Sequence, residues 1–118
     1  MTCYINVTSG VSSEEKYDLI LKALGDARRR KMLDLVKGKP RTTGDLCEHF
    51  NKLDRCTVMQ HLGVLERADL IIVKRKGRHR WNYINPLPIK EIHDRWINGY
   101  ASGAIDLLDR MKREIEEQ

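Results

Sequence analysis

Arg55, Cys56, Thr57, Met59 and Gln60 stand within six consecutive positions and carry the side-chain chemistry that reads the edges of DNA bases. A guanidinium bonds bidentately to guanine and a carboxamide to adenine, while threonine and methionine methyls meet the thymine methyl. Val58, Leu62 and Leu65 recur at i, i+4 and i+7 of the same stretch, so a helix that buries them turns the five outward. An ordinary solvated helix would expose a similar row, so the surrounding chain has to decide between the two. Cys56 keeps two readings. It is a small residue on that face, or an oxidisable thiol in a first helical turn, where the dipole favours an anionic sulfur.

A second group suits phosphates. Lys76, Arg78 and Arg80 flank Gly77 in a basic run at positions 74–80, and cations at a hairpin tip fit the DNA backbone or the minor groove. Arg28, Arg29, Arg30 and Lys31 crowd the start of a helix whose positive end they oppose. An anionic partner would account for that cost, and Arg28 and Arg30 are assigned to phosphates. His61 has two readings, a phosphate contact that orients its helix or a packed contact against the preceding helix. His79, in the basic run, reads as a DNA contact.

Other chemistries find fewer residues. Cys3, Cys47 and Cys56 are spaced 44 and 9 apart, which gives no C-x-x-C pair. The tail offers His93 and Asp94, then Asp106 and Asp109, without a second histidine, and adjacent helical residues point in different directions. A metal site needs three or four ligands, so neither metal nor cofactor is expected. G-x-S-x-G, Walker, H-E-x-x-H and dinucleotide glycine motifs are missing, and no enzyme is expected. Trp81 reads as the anchor of a strand rather than a ligand-pocket wall. Trp96 and Tyr100, i and i+4 neighbours, read as core or dimer seam.

The elements that must position these residues follow from caps and periodicity. Positions 1–11 read as a loose arm. Ser12 or Ser13 caps a first helix with Tyr17, Ile20, Leu21 and Leu24 on one face, and Gly25 ends it. Asp26 caps a second, whose buried stripe is Met32, Leu33, Leu35 and Val36. A strand fragment at Arg41-Thr42 precedes a short third helix capped by Thr43, with Leu46, Cys47 and Phe50 inward. Asp54 caps the fourth. Residues 43–68 therefore form a helix–turn–helix, and residues 70–84 a hairpin wing with a cationic tip at 74–80. Residues 88–118 read as one long helix or a kinked pair, with Gly99 and Gly103 inside it. The order α-α-α-α-β-β-α describes a mainly α winged helix–turn–helix.

Tyr17 and Leu21 on the first helix, with Trp96, Tyr100, Ala104, Leu107 and Met111 on the last, make an apolar surface too large for the small core behind it. A homodimer with C2 symmetry is the closed way to bury it.

The 118 residues are 41% hydrophobic and 33% charged, which fits one folded domain, 1–118, and no disordered tract. Apolar runs stop at four residues, far short of the roughly 20 that span a bilayer. The N-terminus lacks a signal-peptide pattern, so a cytoplasmic location and no membrane contact are expected. Net charge is +5. Residues 26–90 carry 16 bases and 7 acids, a net of +9, between two mildly acidic ends. Such a block suits a polyanion, or serves only as a solvated face.

Beyond these patterns, residues 21–30 (LKALGDARRR) and the stretch from Gly44-Asp45-Leu46 through Thr57-Val58-Met59-Gln60-His61-Leu62-Gly63-Val64-Leu65 resemble the signatures of ArsR/SmtB-type transcriptional repressors. The hairpin Lys76-Gly77-Arg78 with Trp81 and Tyr83 is similar to that family's wing. The resemblance spans residues 16–90. It implies a DNA-binding repressor acting as a homodimer on a palindromic operator. Members that sense soft metals carry a C-x-C near the third helix, where this chain has Thr42, Thr43 and Gly44. The tail is similar to a metal-independent branch, whose members often lie beside and repress a small START/activator-of-chaperone-type partner gene. Ala27 replaces the usual proline, the turn is one residue longer, and Met59 and Gln60 stand where Ser and Arg are common. The target sequence therefore does not carry over from relatives. Two alternatives remain: a metal- or thiol-responsive repressor of this fold, and an interaction module that has lost DNA.

Overall fold

The computed structural model describes residues 12–97 and 102–117. Helix α1 (Ser13–Leu24) starts where the Ser12 hydroxyl accepts from the Glu15 amide at 3.1 Å. It buries Ile20 and Ala23. Gly25 does not end it in a left-handed cap, because its φ is −75°. A Cβ there would lie 3.3–3.4 Å from the carbonyls of Lys22 and Leu21, so glycine serves closeness. Asp26 starts α2 (Ala27–Gly38) by accepting from the Arg28 amide at 2.8 Å. Met32, Leu33 and Val36 are buried, and Leu35 is half-buried.

Strand β1 (Arg41–Thr42) leads into α3 (Thr43–His49). Its cap is Thr42 rather than Thr43: the Thr42 hydroxyl accepts from the Asp45 amide at 3.1 Å. Thr43 is instead buried, its hydroxyl accepting from Asn82 Nδ2 at 3.2 Å. After a turn closed by Leu53 N donating to the Phe50 carbonyl, Asp54 caps α4 (Arg55–Arg67) through the Thr57 amide at 2.7 Å. Val58, Leu62 and Leu65 are fully buried against Met32, Leu46 and Leu70, so one core holds both halves of the helix–turn–helix to α1 and α2.

Strands β2 (Ile71–Lys76) and β3 (His79–Ile84) pair antiparallel from Ile71↔Ile84 to Lys76↔His79, and β1 joins the free edge of β3. The basic tip is much shorter than the 74–80 run. Residues 74–76, 79 and 80 are strand, and only Gly77 and Arg78 turn, with Gly77 at φ +62°, a conformation glycine adopts without strain. Leu70 precedes the strand and closes the core, its carbonyl accepting from the Asn85 amide at 2.9 Å.

The C-terminal segment is two helices, not one continuous helix from 88. Helix α5 (Leu87–Trp96) starts one residue earlier than expected, and α6 spans Ser102–Glu117. Gly99 and Tyr100 fall outside the described residues. Trp96 packs on Tyr17 of α1 at 6.2 Å between ring centroids, with the Arg95 guanidinium within 5 Å of both rings. Along α6 the described side chains are exposed except for half-buried Ala104. No helix among the described residues is long and apolar enough to cross a membrane.

Candidate nucleic-acid interface

The buried stripe of α4 fixes what the opposite face offers. Arg55, Cys56, Met59 and Gln60 line one hollow of about 430 Å³ on the outside of the helix. Arg55, Cys56 and Gln60 are exposed, while Thr57 and Met59 are half-buried beneath them. The structure thus brings four of the five candidate base readers into one concavity, with Thr57 in the same first turn. Asp54, which caps that turn, is held below the usual carboxylate range by the Thr57 amide it accepts from.

A second cleft, of about 290 Å³, runs between α4, the start of α3 and the wing. Arg55 and Met59 line one side and Arg75, Arg78, His79 and Arg80 the other. Thr42, Thr43 and Gly44 also line it. Four guanidinium groups around one cleft, with a helix start beside them, provide donors for an anionic backbone. Arg80 is partly engaged already, Nη2 donating to Glu66 at 3.0 Å.

The wing residues do not share a face. Side chains alternate along a strand, so Arg75 and Arg80, paired in register, face the cleft. Lys76 turns the other way: its Nζ lies 5.9 Å over the Tyr83 ring, in a groove with Trp81 on the reverse of the sheet. Arg75, not singled out from the sequence, takes the place expected of Lys76. Pairing the two strands across a two-residue turn at 77–78, which sets 75 opposite 80, would have found it.

The bases at the start of α2 are mostly engaged within the chain. Arg30 Nη1 donates to the Leu24 carbonyl at 2.6 Å, and Arg29 donates to the carbonyls of Lys22 and Ala23. They complete the C-terminal end of α1, which accounts for cations at an unfavourable helix end without an outside anion. Arg28 is exposed but forms an ion pair with Asp26 at 3.0 Å, which pulls the Asp26 carboxyl far below its usual range. His61 is buried, 8% exposed, with Nδ1 3.1 Å from Arg29 Nη1. Burial, then the charge of Arg28, pushes its pKa down. The structure therefore places His61 in a packed contact with α2 rather than at the surface where a phosphate would lie.

His93 and Asp94 do meet, His93 Nδ1 lying 3.5 Å from Asp94 Oδ1, contrary to the expectation that neighbours diverge. Lys90 holds the same carboxylate at 2.8 Å. No group of three or more His, Cys, Asp or Glu that could hold a metal ion occurs among the described residues.

Residues 24–74 match a family described as a helix-turn-helix domain. The chain is 35% identical over 88 residues to the transcriptional repressor SdpR of Bacillus subtilis (strain 168), covering 75% of this chain and 97% of that protein. It is 29% identical over 80 residues to the arsenical resistance operon repressor of Staphylococcus aureus, 68% of this chain and 76% of the other. The fold is shared with a solved ArsR family transcriptional regulator at TM-score 0.62 and 23% identity, covering 92% of this chain and 97% of that one.

Proposed function

The chain belongs to the ArsR family of winged helix–turn–helix transcriptional regulators, and from that premise we propose that it is a metal-independent repressor that binds a palindromic operator as a homodimer in the cytoplasm. The observation that carries this reading is the concavity of Arg55, Cys56, Met59 and Gln60 on α4, set beside a cleft of wing arginines. With Thr57, those four residues read bases in the major groove. Arg78 and Arg75, with Arg80 in second place, hold phosphates or enter the minor groove. Arg28, held by Asp26 through Nε and Nη2, meets a phosphate beside that ion pair. No cofactor enters the mechanism.

Repression is competitive. Two copies of α4 on successive major grooves occlude the polymerase. The dimer face is α1 with α6, where Leu21, Leu107 and Met111 lie about half exposed. Ala104 continues the same row, and Trp96 is half exposed above its contact with Tyr17. Footprinting on DNA just upstream of the coding sequence tests this. Two protected half-sites centred about one helical turn apart, roughly 34–36 Å or a multiple of it, are expected. One isolated half-site, or protection that appears only with added metal, contradicts it.

A further inference from the structure

Arg29 does not face solvent as the bases on either side of it do. Its side chain is 13% exposed, and all three guanidinium nitrogens are engaged. Nε donates to the Ala23 carbonyl at 2.8 Å, Nη2 donates to the Lys22 carbonyl at 2.9 Å, and Nη1 lies 3.1 Å from His61 Nδ1. The two carbonyls belong to the last turn of α1. The imidazole belongs to α4, directly after Gln60. One planar guanidinium on α2 therefore joins the end of α1 to the helix that carries the base-reading row, and its fork allows little rotation about that joint.

The bond to His61 has a condition. A guanidinium has donors only, so Nδ1 must keep its lone pair, which requires a neutral imidazole protonated on Nε2. A proton on Nδ1 would set two donors face to face at 3.1 Å. The charged groups acting on the ring are Arg28 and Arg29, which repel a cation there, and Asp26, which attracts one; Asp26 Oδ2 lies 4.0 Å from Arg29 Nη1. α1 contributes the neutral carbonyls that hold Arg29, and no charged group of α3 or β2 is among those acting on the ring.

Resting on the repressor reading above, we propose that Arg29 and His61 are positioning residues for DNA reading: their bond holds α4 at its angle to α1, and it does so only while His61 is neutral. Neither residue touches DNA. Because α1 also presents the proposed dimer face, the joint ties the pitch of each reading helix to the spacing between the two.

Acid normally strengthens protein–DNA association by adding positive charge. Here the operator is expected to be lost instead. In anisotropy titrations of the full chain, affinity for the native upstream duplex should fall about tenfold between about pH 7.5 and about pH 5.5. Affinity for a shuffled duplex should hold or rise. His61→Gln, whose amide oxygen accepts from Arg29 at any pH, should abolish the loss, and His79→Gln in the wing should keep it. In the DNA-free protein, the amide resonances of Lys22, Ala23 and residues 55–60 should follow one titration curve whose midpoint lies below that of a free imidazole.

An unchanged preference for the native duplex in acid, or the same loss in His61→Gln, overturns the proposal. Separate titrations of the α1 and α4 amides, with DNA preference intact, overturn the joint alone. A shared titration without preference for the native duplex at any pH overturns the repressor reading on which the proposal rests.

Discussion

Arg55 and Arg78 make the difference between reading and holding measurable. Arg55 lies in both concavities, on the helix proposed to enter the groove, whereas Arg78 lies in the two-residue turn of the wing. Arg55→Ala should cost about 1–3 kcal/mol of discrimination at one base pair. Arg78→Ala should weaken all sequences alike and lower the salt slope by about one. Binding to single-base operator variants at two salt concentrations checks both, and equal losses on operator and random DNA for both substitutions would remove the distinction. A second effect concerns stability. His61 has a lower pKa in the folded chain than in the unfolded one, so its contribution is complete above the unfolded value, about 6.5, and declines as pH falls below it. Urea midpoints should therefore fall on acidification in this range, and fall less in His61→Gln. At this scale the sequence showed which side chains of α4 lie outward, because they sit opposite a clear apolar stripe. It did not show which cations are already engaged. Arg29 and Arg30 answer carbonyls six and seven residues earlier in the chain, a pairing that appears only when two helices meet at an angle.

The elements were readable where one cap and one periodicity agree. Ser12, Asp26 and Asp54 each accept from an amide two or three residues on, and the helices they start begin where expected. Thr42 and Thr43 are both competent caps, and the one expected from the sequence, Thr43, is not the one used. What decides is Asn82, fully buried on β3, whose amide donates to Thr43 Oγ1 and to the Arg41 carbonyl at 3.2 Å. That contact fastens the start of α3 to the wing across about forty residues. Asn82→Leu should leave Thr43 and the Arg41 carbonyl without their buried donor and cost about 1–3 kcal/mol, read as a lowered urea midpoint. Leu62→Ala, in the stripe that seats α4, should cost about 2–5 kcal/mol in the same experiment. Retention of wild-type stability by Leu62→Ala would contradict the core that positions the reading helix. The cationic tip was overestimated because a run of lysines and arginines carries little strand signal, yet the ladder continues to Lys76↔His79.

At the scale of the whole molecule, α6 is the least accounted-for part of a single copy. Ile105, Leu108, Met111 and Ile115 recur at helical spacing and all lie exposed, as Leu107 does beside them. A second copy covers them in the proposed dimer. Replacing Leu107 and Met111 with glutamate should give a folded monomer by sedimentation and lower operator affinity roughly a hundredfold, because each half-site is then bound alone. A dimer that persists in this variant would place the interface elsewhere. As a metal-independent repressor, this basic domain is expected to distinguish one duplex from others of the same composition without metal. Anisotropy on labelled DNA from just upstream of the coding sequence, against a shuffled duplex, with chelator and reductant and at two salt concentrations, tests it directly. Tight, salt-sensitive binding to the native fragment is expected, with binding to the shuffled one weaker by about a thousandfold or more. Equal, weak binding to both duplexes would contradict it.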